Sequence, residues 1–180
     1  MNFVKKPTSI PGCFEILTNV HRDVRGLFVK VMHEPEFKRL GLATGFKEEY
    51  YAVSRKNVLR GMHFQSPPAD LNKLVFCVEG EILDAVLDLR RRSKTYGKTF
   101  TVKLSAKKAN MLYIPKGCAH GFYTLSSKAV TLYKTSAIYS PEHDTGVLWN
   151  SAGIKWPGNR PVVSERDRAF SRFDEFASPF

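Results

Sequence analysis

The stretch Leu-Arg-Gly-Met-His-Phe-Gln-Ser-Pro (59–67) sets one histidine, His63, between an arginine and a glutamine in a run that otherwise reads as buried strand. Imidazole titrates near neutral pH, so His63 can serve as a general base if a carboxylate fixes its tautomer. Two carboxylates qualify. Asp167 stands between two arginines in Pro-Val-Val-Ser-Glu-Arg-Asp-Arg (161–168), and Asp84 lies in Ile-Leu-Asp-Ala-Val-Leu-Asp-Leu (82–89). The residues alone do not choose between them, and a core histidine satisfied by a backbone carbonyl is the plainer reading of His63 in isolation.

Metal ligation is a second use for the same histidine. His120 follows in Pro-Lys-Gly-Cys-Ala-His (115–120), the form of the second metal motif, PxG…H, of the cupin barrels. Their first motif, G…HxH…E, is incomplete here: Gln65 stands where the second imidazole belongs, and no glutamate follows nearby. Two imidazoles fall short of the roughly three protein ligands that a catalytic metal needs. No metal and no other cofactor is therefore expected, and a metal-dependent cupin enzyme is the alternative that stoichiometric metal in the purified protein would support.

These residues have to be held by strands. Apolar, β-branched segments recur at 27–32, 50–54, 74–78, 82–89, 100–104, 111–115 and 129–139, punctuated by turn residues, which is the pattern of a sandwich or barrel. Two segments have helical spacing, 34–42 and 168–176, the latter through Phe170, Phe173 and Phe176. Alternation in 82–89 puts Leu83, Ala85, Leu87 and Leu89 on one face and Asp84 with Asp88 on the other. An inward Asp84 needs a partner, whereas an outward one is simply solvated. In 129–139 alternation puts Tyr133 and Tyr139 on one face. Arg60 and His63 differ by an odd number of positions, so both reach one pocket only if Gly61 provides a bulge or kink.

Composition limits the class of function. The 180 residues, 43% of them hydrophobic, suit one globular domain spanning 1–180. There is no run of about 18 apolar residues and no signal-peptide core, so a cytoplasmic protein without membrane association is expected. The three cysteines Cys13, Cys77 and Cys118 are scattered packing residues. A net charge of +11 attracts anions, but no aromatic and basic stripe follows a strand face, which argues against nucleic acid. The densest basic run, 89–100, reads as a solvated turn between strands.

The segments Asp-Val-Arg-Gly-Leu-Phe (23–28), 57–68, 72–97, 113–122, 132–150 and 155–167 together resemble, in order and over most of the chain, the dTDP-4-dehydrorhamnose 3,5-epimerase family. The resemblance implies a mainly β, cupin-type double-stranded β-helix, a jelly-roll barrel with short flanking helices. It also implies a metal-independent homodimer that inverts carbons beside the 4-keto group of a nucleotide-linked deoxysugar in polysaccharide or deoxysugar biosynthesis. It makes His63 the base with Asp167 as its partner, Lys73 the group at the enolate oxygen and Tyr133 the acid on the opposite face of the sugar. Arg60, Asp84 and His120 would line the pocket, Tyr139 would lie beside the sugar or base, and Arg25 would reach a phosphate, across the dimer interface if need be. The chemistry is coherent, since a carbon next to a ketone needs a base at carbon and a cation or donor at oxygen. Inversion further needs an acid on the other face.

The chain departs from the family where the nucleotide is held. A QxNxS-like pattern there carries two carboxamides, but residues 46–57 have Glu48 and Tyr50 in their place, and Lys30 replaces an acidic residue. A carboxylate accepts hydrogen bonds and cannot donate them, so the base contact should change. GDP- and CDP-linked sugars, including heptoses, thereby join dTDP as candidate substrates. A non-catalytic nucleotide-sugar-binding cupin is the remaining alternative, and it has no need of His63, Lys73, Tyr133 and Asp167 together.

Overall fold

The computed structural model describes residues 2–180. Thirteen strands are present among them: β1 Val4–Pro7, β2 Phe14–Leu17, β3 Val20–Asp23, β4 Gly26–Val29, β5 Glu48–Arg55, β6 Leu59–Gln65, β7 Lys73–Glu79, β8 Glu81–Asp88, β9 Thr99–Ser105, β10 Met111–Ile114, β11 Cys118–Thr124, β12 Lys128–Thr135 and β13 Asp144–Gly146. Helix α1 spans Glu34–Arg39 and α2 spans Glu165–Arg168. The main sheets have strand orders β1-β2-β10-β7-β12-β5 and β13-β6-β11-β8-β9, all antiparallel, and β3–β4 forms a separate exposed hairpin. This is the mainly β, cupin-type architecture.

Between the sheets lies a core of Val75, Cys77, Ile82, Val86, Leu104, Leu112, Ile114, Phe122 and Tyr133. The outer faces are covered too. Phe3, Phe37 and Leu42 pack with Ile16, Leu74, Phe76 and Met111 on the six-stranded sheet. On the other sheet the C-terminal aromatics Phe173, Phe176 and Phe180 pack against a cluster that includes Phe64, Ala85, Leu87 and Leu89. Burial of both faces explains why so many strands read as continuous apolar runs rather than clean alternations.

Three expectations change. Residues 168–176 are not a helix: α2 ends at Arg168 and a short 3-10 turn covers only Phe173–Glu175. Its phenylalanines serve different partners, Phe170 against His63, Phe173 against Tyr96 and Phe176 against Phe64. Tyr133 and Tyr139 do not share a strand face, because β12 stops at Thr135. The solvated reading of Asp84 is excluded by its 0% exposure. The basic run 89–100 is the turn between β8 and β9, organised by buried Asp88, which accepts from Arg90, Ser93 and Thr95.

Candidate active site

A cavity of about 410 Å³ opens at one end of the barrel between the two sheets. His63 and Arg60 reach it from β6, Lys73 from β7, His120 and Phe122 from β11, Tyr133 and Thr135 from β12, and Glu48 and Tyr50 from β5. Tyr139, Asp144 and Arg166 complete its rim.

Gly61 lets Arg60 and His63 share this cavity. His120 pairs with His63 and Phe122 with Arg60, so two steps along β11 match three along β6 and the extra residue forms a bulge. Gly61 has φ +144°, and a Cβ there would sit 2.6 Å from the Gly121 Cα, so no other residue fits the crossing. Arg60 is then held by donating from Nε to the Ser54 Oγ at 3.0 Å.

Asp167 arrives on α2, where Ser164 is the N-cap and its hydroxyl oxygen accepts the Asp167 N–H at 3.1 Å. Its Oδ1 lies 2.8 Å from His63 Nε2, and its Oδ2 accepts the Gly61 N–H at 3.0 Å. Burial pushes the Asp167 carboxyl up, but His63 and the Gly61 N–H prevail and leave it below the usual carboxylate range. An ionised Asp167 accepts a hydrogen bond from Nε2–H and so fixes the proton there, which leaves the Nδ1 lone pair of His63 as the base. The edge of Phe170 backs the imidazole at 5.8 Å between ring centres.

His120 repeats the pairing deeper in the barrel, with Nε2 2.8 Å from Asp84 Oδ2. Here burial dominates and raises the carboxyl of Asp84, against the lowering by His120 and Lys73, while Oδ1 has no partner. Burial likewise lowers the Lys73 ammonium to about 8, opposed by the nearby charges of Asp144 and Asp84. Tyr133 is pushed well above an ordinary phenol, first by burial and then by Asp84 and Tyr50. The cavity thus presents an imidazole held by a carboxylate, an ammonium whose proton burial loosens and a phenol that burial holds protonated.

Comparison with known proteins places nearly the whole chain in one family. The profile of the dTDP-4-dehydrorhamnose 3,5-epimerase family matches residues 7–175. The chain belongs to this family. A dTDP-4-dehydrorhamnose 3,5-epimerase of Salmonella typhimurium is 40% identical over 172 residues, 93% of this chain and 94% of that one. Among solved structures, a dTDP-6-deoxy-D-glucose-3,5-epimerase of Legionella pneumophila, in complex with dTDP-4-keto-L-rhamnose, superposes with a TM-score of 0.93 at 32% identity, covering 98% of this chain and 95% of that one. A 3'-monoepimerase of Streptomyces bikiniensis, in complex with dTDP-quinovose, has a TM-score of 0.85 at 29% identity, covering 93% and 86%.

Within this epimerase fold, ten of the eleven residues expected at the site, His63, Lys73, Tyr133, Asp167, Glu48, Tyr50, Arg60, Asp84, His120 and Tyr139, line the cavity or bond to a side chain that does. Arg25 does not. It lies in the β3–β4 turn, exposed, with its guanidinium on Asp23 at 2.5 Å and no contact with the cavity of its own chain. Glu48 and Gln65 have functions that their positions in the sequence did not suggest. Glu48 Oε2 accepts the Tyr139 N–H at 2.7 Å. Gln65 Oε1 accepts the Ser140 N–H at 2.6 Å while its amide donates to the Ala69 and Ile138 carbonyls. Together they fasten the segment 138–140 across the rim.

Asp144 and Arg166 were missed. Arg166 Nη2 bonds Asp144 Oδ2 at 2.7 Å, and the guanidinium lies over the Phe170 ring at 5.3 Å. The available signal was the spacing Ser164 to Asp167, an N-cap pattern that makes the arginine beside Asp167 part of a short helix at the site.

Proposed function

We propose that this chain inverts C3 and C5 of a dTDP-linked 4-keto-6-deoxyhexose, the whole chain acting as one cytoplasmic catalytic domain without metal or other cofactor. His63 Nδ1 removes the proton beside the ketone, Asp167 stabilises the imidazolium that forms, and Lys73 donates to the enolate oxygen. Tyr133 then returns a proton from the opposite face of the ring. Arg60 and His120 bind the substrate within the cavity. The observation that carries the reading is the placement of His63, Lys73 and Tyr133 around one cavity, with an ionised carboxylate fixing the tautomer of the base.

The family relationship favours dTDP as the carrier. The Glu48 carboxylate is engaged with the Tyr139 N–H, which supports a role in shaping the rim rather than in reading guanine. The reading includes a homodimer: Leu27, Phe28, Tyr51, Val53 and Val78 are large apolar side chains left 48–67% exposed on the hairpin, on the sheet-edge strand β5 and on β7. In such a dimer the hairpin would carry Arg25 toward the phosphates in the partner's cavity. Light scattering at micromolar concentration tests the dimer, and a monomer would remove Arg25 from the site.

The activity itself is tested by incubating the protein with dTDP-, GDP- and CDP-linked 4-keto-6-deoxyhexoses in deuterated water. NMR should show deuterium entering C3 and C5 of the dTDP sugar, with inversion at both. Exchange at neither carbon of any of the three sugars would sink the enzymatic reading. Inversion at one carbon only would assign a monoepimerase.

A further inference from the structure

Tyr133 is one of the least adjustable side chains at the site and Tyr50 one of the freest. Tyr133 is 6% exposed, and two rings hold it: the His120 imidazole meets it edge-on at 6.0 Å and 72°, and the Tyr50 phenol stacks on its face at 4.8 Å and 16°. Tyr50 and Tyr133 are directly paired residues of β5 and β12, so the stack is built into the strand register. Tyr50 is 42% exposed and lines the mouth of the cavity. The ring stacked on the face of Tyr133 is therefore supplied by a residue of the sheet edge.

We propose that Tyr50 is a positioning residue for Tyr133, its stacked ring holding the phenol at the angle from which it delivers a proton to the carbanion carbon and keeping water from that face. This rests on the reading of Tyr133 as the proton donor. In the step concerned, the Tyr133 O–H bond breaks as a C–H bond forms on the face opposite His63. The enolate electron pair makes the new bond, phenolate is left, and the proton first removed stays on His63 until solvent restores both groups. Exchange without inversion needs His63 and Lys73 but not Tyr133. Loss of the stack should therefore act on inversion and leave exchange largely in place.

The experiment follows inversion and deuterium exchange together by NMR for the wild-type protein, Tyr50→Ala, Tyr50→Phe, Tyr133→Phe and the Tyr50→Ala/Tyr133→Phe pair, using dTDP-4-keto-6-deoxyglucose. Tyr50→Ala should lower the ratio of inversion to exchange about tenfold, a part of the roughly 10²–10⁴-fold that a positioned acid contributes. Tyr50→Phe keeps the stack and should restore the ratio. In the Tyr133→Phe background, Tyr50→Ala should change the ratio no further, since coupled residues are not additive. An unchanged ratio with a raised KM in Tyr50→Ala would overturn the proposal and make Tyr50 a substrate contact. A ratio in Tyr50→Phe as low as in Tyr50→Ala, or an undiminished effect of Tyr50→Ala in the Tyr133→Phe background, would overturn it as well. A wild-type protein that exchanges nothing would defeat the epimerase reading itself, and an active wild type with an unaltered Tyr50→Ala ratio would defeat only the role of Tyr50.

Discussion

His63–Asp167 and His120–Asp84 are the same chemical pair at the same 2.8 Å separation, on strands whose histidines face each other across the β6–β11 ladder. They differ in what surrounds the carboxylate. Asp167 takes a further hydrogen bond from the Gly61 N–H, and its imidazole is 27% exposed to the cavity. Asp84 is fully buried, has one oxygen without a partner and has its carboxyl raised by desolvation. A bond to histidine therefore does not make a carboxylate an effective partner for a base. The additional donor from Gly61 helps to keep Asp167 ionised, and the greater exposure of His63 within the shared cavity, 27% against 4% for His120, lets it reach a substrate proton.

The largest effect expected from this difference is in Asp167→Asn. The neutral amide cannot stabilise the imidazolium, and its NH2 turned toward the ring would make Nε2 an acceptor and move the proton to Nδ1, so exchange at the substrate should fall by roughly a hundredfold or more, measured as the rate of deuterium uptake. Retention of most of the rate would remove the distinction between the pairs. Next is Gly61→Ala, which touches both: its Cβ would strike Gly121 and lie 3.3 Å from the His120 carbonyl, while the Gly61 N–H is a donor to Asp167. It should cost about 2–3 kcal/mol in urea unfolding, the scale of overpacking in a rigid core. An unshifted midpoint would show that the bulge can relax.

Asp84→Asn should slow exchange less than tenfold, because the carboxylate it replaces is disfavoured by burial and its histidine is not the base. A loss equal to that of Asp167→Asn would mean that both pairs take part in proton transfer. The smallest effect concerns Lys73, lowered to about 8 beside Asp84. An unfolded lysine keeps its proton to about 10.4. Between those values the unfolded chain binds more protons, so stability rises with pH, and the penalty from Lys73 is fully present below about 8. Lys73→Met should raise Tm at pH 7 by a few degrees and by progressively less toward pH 10. A pH-independent gain would assign the effect to packing alone.

The sequence made several interior strands plain, since β7, β8 and β10 are buried on both faces over most of their length and β12 alternates between buried and half-buried residues. It concealed β1 and β2, whose Val-Lys-Lys-Pro and Phe-Glu-Ile-Leu are four residues each and partly charged, β1 as the edge of its sheet and β2 beside it. The spacing of three between Phe170, Phe173 and Phe176 imitated a helix because each ring meets a separate tertiary partner at the same interval. At the site, the odd interval between Arg60 and His63 sufficed to expect the bulge at Gly61. Asp144 and Arg166 could not be anticipated in the same way, because only the pairing of β13 with β6 and the landing of α2 bring them together.

Gln65 has a consequence for redesign. Its position invites a histidine that would complete a metal centre with His63 and His120. The carboxamide, however, accepts from Ser140 and donates to Ala69 and Ile138 at once, and an imidazole has only two ring nitrogens with which to replace those bonds. A metal graft at Gln65 would release the rim before it gained a ligand, so converting this barrel to metal chemistry requires a second anchor for residues 138–140 in the same step.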